Sequence, residues 1–320
     1  MSRQITYSPA YTLVPTYECF NRCDYCNFRV DPNQDEWMTL ATAREKLQSL
    51  QNQGISEILI LSGEVHPRSP RRNAWFEHIY QLCELSLSWG FLPHSNVGPL
   101  TFAEMEQLKQ VNVSMGLMIE QITPKLLETV HQNAPSKVPE LRLQQLAWAG
   151  ELKIPFTTGI LLGIGETEQE RWESLQAIAE IQQNYGHIQE VILQPHSLGQ
   201  KQIFQSSEFS INQLPQIIAK ARDILPPSIT LQIPPNLIPD AQCLLDCLEA
   251  GARDLGGIGP IDEVNPDYAH SDYQKLLNIL TKANWKLVPR LPIYPQYYHW
   301  LSSALQLKVE GWQHKIFFKV

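Results

Sequence analysis

Three cysteines lie within eight residues near the start of the chain, in the stretch TYECFNRCDYCNF. Cys19, Cys23 and Cys26 have the spacing Cys-x3-Cys-x2-Cys, and thiolates on one loop select an iron-sulfur cluster or zinc over harder cations. Structural zinc usually takes four protein ligands in two paired half-sites, and no second pair lies beside this loop. Three thiolates leave one corner of a metal centre open, where a small chelating molecule can bind.

The other three cysteines are expected to be packing residues. Cys243 and Cys247 lie four positions apart on a predicted helix beside leucines, and Cys83 lies in another helical segment. The chain starts without an apolar stretch of signal-peptide length and has no run long enough to span a bilayer, so we expect a cytoplasmic protein. In that reducing compartment a disulfide framework is not expected, which favours metal or redox chemistry for the cysteine loop.

The composition is that of an enzyme-sized globular chain. Its 320 residues are 43% hydrophobic and 18% charged, and the formal net charge is -8. The longest basic run is RSPRR at residues 68–72, so a phosphate backbone is a disfavoured partner. We therefore expect neither a nucleic-acid nor a membrane partner.

Eight apolar segments of strand length alternate with amphipathic helical segments. The predicted strands lie at residues 12–16, 57–63, 91–96, 111–118, 154–163, 188–195, 229–235 and 254–259. This alternation predicts an α/β fold, a TIM-type (β/α)8 or near-complete barrel, over residues 1–284. A Pro- and aromatic-rich C-terminal extension, residues 285–320, is expected to pack on the barrel. An open doubly wound sheet is the alternative, but no Gly-x-Gly-x-x-Gly follows the first strand.

Polar and glycine-rich residues follow most of the predicted strands. The active site of such a barrel is built from loops at the carboxyl ends of its strands. The cysteine loop follows the first strand, and further polar positions follow the later ones, so we expect all of them to converge on one mouth. These positions are residues 62–64, 94–96, 120, 163–167, 194–197 and 256–257.

The cysteine loop resembles that of the radical S-adenosylmethionine (SAM) superfamily, down to the aromatic residue Tyr25 before the third cysteine. The resemblance implies a 4Fe-4S cluster held by Cys19, Cys23 and Cys26, with SAM at the iron that has no protein ligand. The alternatives are a zinc ion completed by a distant histidine and a loop whose cysteines hold no metal.

Three further segments offer partners for the polar groups of SAM. The segment LILSGEVHP resembles the family's Gly-Gly-Glu segment, with Ser62 in place of the first glycine, so Ser62, Gly63 and Glu64 are expected near the SAM ammonium. Glu120 is placed to accept from the ribose hydroxyls. Arg142 can pair with the SAM carboxylate, although a solvated helix face would also explain it.

The glycines after the fifth strand are the expected adenine site. Gly163 and Gly165 allow close approach of the backbone, and Thr167 either contacts the cofactor or caps the next helix. Asn96 completes the predicted cofactor set.

Longer strings resemble one branch of the superfamily, the CofG subunits of 7,8-didemethyl-8-hydroxy-5-deazariboflavin (FO) synthase. They are FTTGILLGIGET, PHSNVGPL, SMGLMIE and ARDLGGIGPIDEVNP, and the resemblance extends from Thr16 to about Pro266. Glu64 favours CofG over the related CofH subunit. Two departures, Leu255 in place of an aromatic residue and IGP where Ser-Pro is common, affect the expected substrate side.

The resemblance implies a radical cyclisation. The product of CofH, a hydroxybenzyl group joined to a ribitylamino-uracil, would close to FO and release ammonium. The residues expected at this substrate are Gln194, Ser197, Asn236 and Asp254, although Asp254 could instead brace its strand. His196 is expected to be a base, or only a hydrogen-bond donor to a loop.

The expected partners follow from the same resemblance. They are a small-molecule substrate from CofH, CofH itself as a contact, and a reductant such as ferredoxin or flavodoxin. Two other functions stay open at this point. One is a radical SAM enzyme of a related branch, CofH-like, of the menaquinone pathway or biotin-synthase-like; the other is an iron-sulfur or zinc protein without catalysis.

Overall fold

The computed structural model describes residues 3–204, 209–268 and 272–317, and these form a parallel barrel surrounded by helices. The strands are β1 (Gln4–Leu13), β2 (Glu57–Leu61), β3 (Leu92–Asn96), β4 (Ser114–Gly116), β5 (Phe156–Leu162), β6 (Ile188–Pro195), β7 (Thr230–Gln232), β8 (Asp254–Ile258) and β9 (Lys286–Pro289). The helices are α1 (Leu40–Ser49), α2 (Arg72–Ser88), α3 (Phe102–Leu108), α4 (Pro139–Glu151), α5 (Glu168–Tyr185), α6 (Leu214–Ile224), α7 (Ala241–Ala250), α8 (Tyr273–Lys282) and α9 (Ser303–Phe317).

The predicted (β/α)8 barrel is confirmed. Strands β1 to β8 pair in chain order, and the barrel closes where β1 pairs with both β2 and β8. Helices lie between successive strands and cover the sheet, as parallel strands buried on both faces require. Among the described residues, no helix is both long and apolar enough to cross a membrane.

The first strand begins earlier than predicted. The apolar pattern predicts this strand at residues 12–16, whereas β1 starts at Gln4 and ends at Leu13. Its first half, QITYSP, mixes polar residues with only two buried side chains in its first five positions, so it lacks the apolar run that marked the other strands. Two neighbouring strands stabilise that half: β8 pairs with it at Thr6 along one edge, and β9 pairs with it from Gln4 to Tyr7 along the other.

The segment after residue 285 contributes to the sheet. Strand β9 was not predicted, and it pairs in parallel with the first half of β1. Beyond it, Leu291, Ile293 and Tyr297 form a second apolar cluster with Leu92 and Val113 at the amino ends of β3 and β4. The division into residues 1–284 and 285–320 stays a prediction.

A buried ion cluster joins this segment to the amino-terminal end of the barrel. Arg290 donates to Asp254 from Nε (2.6 Å) and to Glu190, and Tyr294 donates to the same Glu190 at 3.0 Å. Burial raises the pKa of Glu190 to about 8 despite Arg290, because Asp254 competes for the one cation. Burial also raises the pKa of the nearby Glu57. The cluster therefore keeps more carboxyl groups than one guanidinium can neutralise.

We predict that replacing Arg290 by methionine lowers the free energy of unfolding by about 3 to 5 kcal/mol, because Asp254 and Glu190 would be left buried without a cation. The matched control is Arg3→Met, because Arg3 pairs with Glu249 at 3.0 Å in a position where both side chains are about half exposed. Such a surface pair contributes about 1 kcal/mol or less. Urea unfolding of the variants gives both values, and equal losses would contradict the buried role of Arg290.

Candidate active site

The three cysteines lie on the loop between β1 and α1, at the carboxyl end of β1. Backbone hydrogen bonds fix this loop to two neighbouring segments. The amide of Phe20 donates to the carbonyl of Glu64 at 3.0 Å, and the amide of Arg22 donates to the carbonyl of Asn133 at 2.7 Å. The loop is therefore held by the segment after β2 and by the turns after β4, independently of the thiols.

A cavity of about 330 Å³ lies at the barrel mouth and brings most of the predicted site residues together. The three cysteines form one part of its wall, and their thiols are not engaged in disulfides. The predicted cofactor and substrate residues that line the same cavity are Tyr25, Ser62, Gly63, Glu64, Asn96, Glu120, Arg142, Gln194, His196 and Ser197.

The predicted adenine residues lie beside this cavity and not on its wall. Gly163 and Gly165 have positive φ angles of 90° and 112°, which favour glycine, and Glu166 accepts from the amide of Gly163 at 2.7 Å. Thr167 is the N-cap of α5 and forms a capping box with Glu170. Its observed role is helix capping, which was the alternative to cofactor binding.

Asp254 lines neither the mouth cavity nor the second cavity described below, so the prediction that it binds substrate is corrected. It is the first residue of β8, it is fully buried, and Arg290 holds it at the opposite end of the barrel. Asn236 lies in a second cavity described below, where its amide donates to Asp262 at 2.7 Å.

Burial makes free thiolates unfavourable in the loop. It raises the pKa of Cys19 to about 11, with a further contribution from the negative charge of Glu64. It raises the pKa of Cys23 to about 12, although the positive charge of Lys137 lowers it in part. Among the described residues, no group of three or more Cys, His, Asp and Glu side chains is arranged as a site for a metal ion. The cluster ligands therefore stay a prediction that rests on the cysteine pattern and on the shared cavity.

Glu64 lies at the centre of a polar network beside the cysteines. It accepts from Asn21 Nδ2 at 2.9 Å and forms an ion pair with Arg142 at 3.4 Å. Arg142 is almost fully buried and donates to the carbonyl of Ser136 at 3.0 Å, so it is not the solvated helix residue that the sequence allowed. The network leaves the Glu64 carboxylate in contact with the cavity.

Gly63 is required by a close approach of two backbones. A Cβ atom built on it would lie 2.1 Å from the carbonyl oxygen of Glu18, and its amide donates to the carbonyl of Thr16 at 2.8 Å. A side chain here would push the cysteine loop away from β2.

Lys137 is a site residue that the sequence analysis missed. Its ammonium donates to Glu120 Oε1 at 2.6 Å and lines the same cavity. Burial alone would raise the pKa of Glu120, but Lys137 and Arg142 outweigh burial and lower it, so the carboxylate is charged. Lys137 follows no predicted strand, and only the turn after β4 brings it to the mouth.

His196 has one nitrogen without a protein partner. Its Nε2 lies 3.0 Å from Gln202 Oε1, whereas its Nδ1 is buried and makes no hydrogen bond with the described residues. Burial lowers the pKa of His196, and the hydrogen bond with Gln202 opposes this in part. The ring is therefore neutral at pH 7 and presents a polar atom that a ligand can satisfy.

The donor set fits a 4Fe-4S cluster with SAM. Three thiols outside any disulfide share a wall with two carboxylates, Glu64 and Glu120, which can accept from the ammonium and ribose hydroxyls of SAM. His196, whose buried Nδ1 has no hydrogen-bond partner among the described residues, lines the same cavity.

A second cavity of about 200 Å³ lies inside the barrel below the mouth. It shares wall residues with the first cavity, including Leu59, Leu61 and Met118, so the two cavities adjoin. Asn96 lines both. We refer to this second cavity as the lumen.

Comparison with known proteins gave one family and several close relatives. A profile of the Radical SAM superfamily matches residues 13–178. A protein of Nostoc sp. named 7,8-didemethyl-8-hydroxy-5-deazariboflavin synthase is 65% identical, with 98% of this chain and 92% of that protein covered. A protein of the same name from Trichodesmium erythraeum is 61% identical, with 99% of each chain covered.

Solved structures show the same fold at low identity. The FeFe-hydrogenase maturase HydG from Carboxydothermus hydrogenoformans is 17% identical and gives a TM-score of 0.75. The superposition covers 99% of this chain and 79% of the HydG chain. Methylornithine synthase (PylB) is 15% identical, with 90% and 84% covered and a TM-score of 0.67. At these identities the likeness concerns the fold alone.

We predict that Gly63→Ala reduces iron incorporation into the purified protein by at least about half and lowers stability by about 1 to 3 kcal/mol, since the added methyl would overlap the Glu18 carbonyl. Gly311→Ala on α9 is the matched control, because nothing lies within 4 Å of a Cβ at that position. An alanine there should be neutral or stabilising by up to about 1 kcal/mol. Full iron content in Gly63→Ala would show that the close contact is not needed.

Proposed function

Because the chain belongs to the radical SAM superfamily and, within it, to the family of 7,8-didemethyl-8-hydroxy-5-deazariboflavin synthases, we propose that it cyclises 5-amino-5-(4-hydroxybenzyl)-6-(D-ribitylimino)-5,6-dihydrouracil, the CofH product, to FO. The chain is an enzyme of deazaflavin biosynthesis. The single observation that carries the proposal is the near-complete coverage by relatives of that name at 59% identity and above. The arrangement of the mouth cavity supports it.

The proposed reaction is a carbon–nitrogen lyase reaction coupled to oxidation. One carbon–nitrogen bond forms as the ribityl-bearing nitrogen joins the phenol ring, and the 5-amino group leaves as ammonium. Two electrons leave the substrate and are accepted by SAM, which is cleaved to methionine and 5'-deoxyadenosine. A 4Fe-4S cluster and SAM, when bound, supply the radical that removes the substrate hydrogen.

The residues of this chain are proposed to bind, orient and exclude water. Cys19, Cys23 and Cys26 would hold the cluster, and Glu64 would accept from the SAM ammonium. Glu120, kept charged by Lys137, would accept from the ribose hydroxyls. A cofactor and a substrate that fill the mouth cavity would keep water away from a reactive intermediate.

His196 is proposed as the base on the substrate side. It lines the mouth cavity together with Gln194 and Ser197, and its free Nδ1 can accept a proton. Ser197 is already oriented by Asn265, to which its hydroxyl donates at 2.8 Å. We further propose a one-electron donor such as ferredoxin or flavodoxin, and contact with the CofH protein that supplies the substrate.

The direct test is a coupled anaerobic assay with a CofH enzyme, tyrosine, the ribityl diaminouracil, SAM and a reductant. We predict fluorescent FO together with 5'-deoxyadenosine from the wild type, and neither from Cys23→Ser, because that variant would lose a cluster ligand. Cys83→Ser is the matched control, since Cys83 is buried beside Ser95 and Asn112, which can satisfy a hydroxyl.

The two products separate the candidate functions. FO absent despite active CofH, with 5'-deoxyadenosine still formed, would replace the proposed substrate by that of another radical SAM branch. Neither product from a protein with full iron content would overturn the enzyme assignment itself. Full activity of Cys23→Ser would show that the cluster ligands are assigned wrongly.

We predict that His196→Gln lowers kcat for FO formation by about a hundredfold with little change in KM, as expected for loss of a general base. Because burial lowers the pKa of His196, the rate of the wild type should fall only at a pH below the ordinary histidine pKa of about 6.5. The variant should lack this acid limb. If the variant showed the same loss of rate at acid pH, His196 would only hydrogen-bond within its loop and would not be the base.

A further inference from the structure

The lumen is layered by polarity along the barrel axis. Alternate residues of each strand face it, and in the register of β2 with β3, Leu59 lies opposite His94 and Leu61 opposite Asn96. On β6 the lumen residues Glu190 and Ile192 alternate in the same way. Glu57 and Glu190 line the lumen near the amino-terminal ends of β2 and β6, and His94 and Gln232 line it in register with the next lumen residues, Leu59 and Ile192. We refer to the wall formed by these four polar residues as the floor.

The lumen wall next to the mouth cavity is partly apolar, although Thr12, in register with Leu59, also lines it. Leu59, Met118 and Ile192 line it between the floor and the mouth. All three also line the mouth cavity, so these apolar side chains lie where the two cavities meet. Five residues of β2, from Glu57 to Leu61, span about 13 Å, which is room for a polar chain below and a ring above.

His94 presents an unpartnered acceptor to the floor. The Ser114 hydroxyl donates its one hydrogen to the carbonyl of Pro292 at 2.6 Å, so it must accept from His94 Nδ1 at 2.7 Å. The proton is therefore on Nδ1, and Nε2 is left as an acceptor with no partner among the described residues. His94 is only 8% exposed, and a Cβ on Gly116 would lie 2.9 Å from Nε2.

Other polar atoms at the lumen are unpartnered as well. Glu57 accepts from Ser8 through one carboxyl oxygen, and its other oxygen has no partner among the described residues. The side-chain amide of Gln232 makes no hydrogen bond with the part of the chain that the structure describes, and Gly256 leaves space for it, since a Cβ there would lie 2.4 Å from Nε2. These groups surround the lumen and make no hydrogen bonds with one another.

The C-terminal segment closes this end of the lumen. Arg290 follows β9 and lines the lumen, where it fixes Glu190 and Asp254. Pro292 also lines it and accepts from Ser114 and from Gln189 Nε2 at 3.0 Å. The segment thereby orients the groups of the floor, and Arg290 acts as a positioning residue.

We propose that the floor binds the ribityl chain of the substrate, with His94, Glu57 and Gln232 as its hydrogen-bond partners. The inference rests on the proposed function and specifies how that substrate lies. Each hydroxyl of a polyol both donates and accepts, which suits a carboxyl oxygen, a bare imidazole nitrogen and an amide around a narrow space. The uracil and phenol rings then lie in the apolar layer, and the reacting carbon faces the mouth.

Binding of deazaflavins to the cluster-loaded enzyme tests this orientation. The probes are FO, its analogue with an ethyl group in place of the ribityl chain, and its analogue without the phenol hydroxyl, each titrated by fluorescence under anaerobic conditions. We expect the wild type to bind FO at least about tenfold more tightly than the ethyl analogue. We expect His94→Leu and Gln232→Leu each to weaken FO binding by about three- to tenfold, as for one lost hydrogen bond, and to leave the ethyl analogue unchanged.

Both variants leave no protein donor unpaired, because Ser114 keeps its bond to Pro292 and the Gln232 amide has no protein partner. Gln107→Leu on the exposed face of α3 is the matched control and should change neither affinity. Thermal unfolding and iron content of all variants verify that they are folded and loaded.

The outcomes distinguish this inference from the proposed function. FO formation by the wild type, with equal affinity for FO and the ethyl analogue, would overturn the floor assignment alone. If His94→Leu and Gln232→Leu weaken binding of FO but not of the analogue without the phenol hydroxyl, the phenol and not the ribityl chain lies at the floor. That result would also overturn the floor assignment. A wild type that neither forms nor binds FO would overturn the proposed function, and the floor assignment with it.

Discussion

The site depends on the pairing of β1 along both of its edges. Its second half pairs with β2, its first half pairs with β9, and β8 lies along the other edge. This closes the barrel and fixes where the cysteine loop begins. Three residues after β1 ends, the carbonyl of Thr16 accepts from Gly63, so the loop leaves the sheet against the end of β2. The thiols and Glu64 therefore face one cavity because the two strand ends are in contact.

The two-residue period of the strands then divides the interior into layers. Residues of one face of β2, β3 and β6 run from carboxyl and imidazole groups at the floor, through Leu59 and Ile192, to Asn96 and Gln194 at the mouth. A molecule with a polar tail, flat rings and a reactive carbon matches this order. The barrel thus provides both the cofactor mouth and a deep extension of it, and the C-terminal segment closes the deep end.

The sequence allowed the barrel and most of the mouth to be predicted, because both follow from local patterns. Apolar runs mark strands buried on both faces, and polar residues after them mark the carboxyl end. What was missed depends on pairing between distant segments. Strand β9 and the first half of β1 stabilise each other, and neither has an apolar run of its own. Lys137 reaches Glu120 only through a turn, and Asp254 is held away from the mouth by Arg290, which comes from a distant segment that no local pattern links to β8.

Burial has opposite consequences at the two ends of the cavity. At the mouth it raises the pKa of Cys19 and Cys23, so the thiolates of these two residues are stable only beside compensating positive charge, which a bound iron-sulfur cluster would provide. At the floor it keeps His94 neutral, with a pKa lowered to about 3 by burial and by the charge of Arg290. A neutral imidazole and carboxyl groups near one shared guanidinium can exchange hydrogen bonds with hydroxyls. The same low-polarity interior therefore favours a metal cluster where thiols converge and an uncharged polyol where they do not.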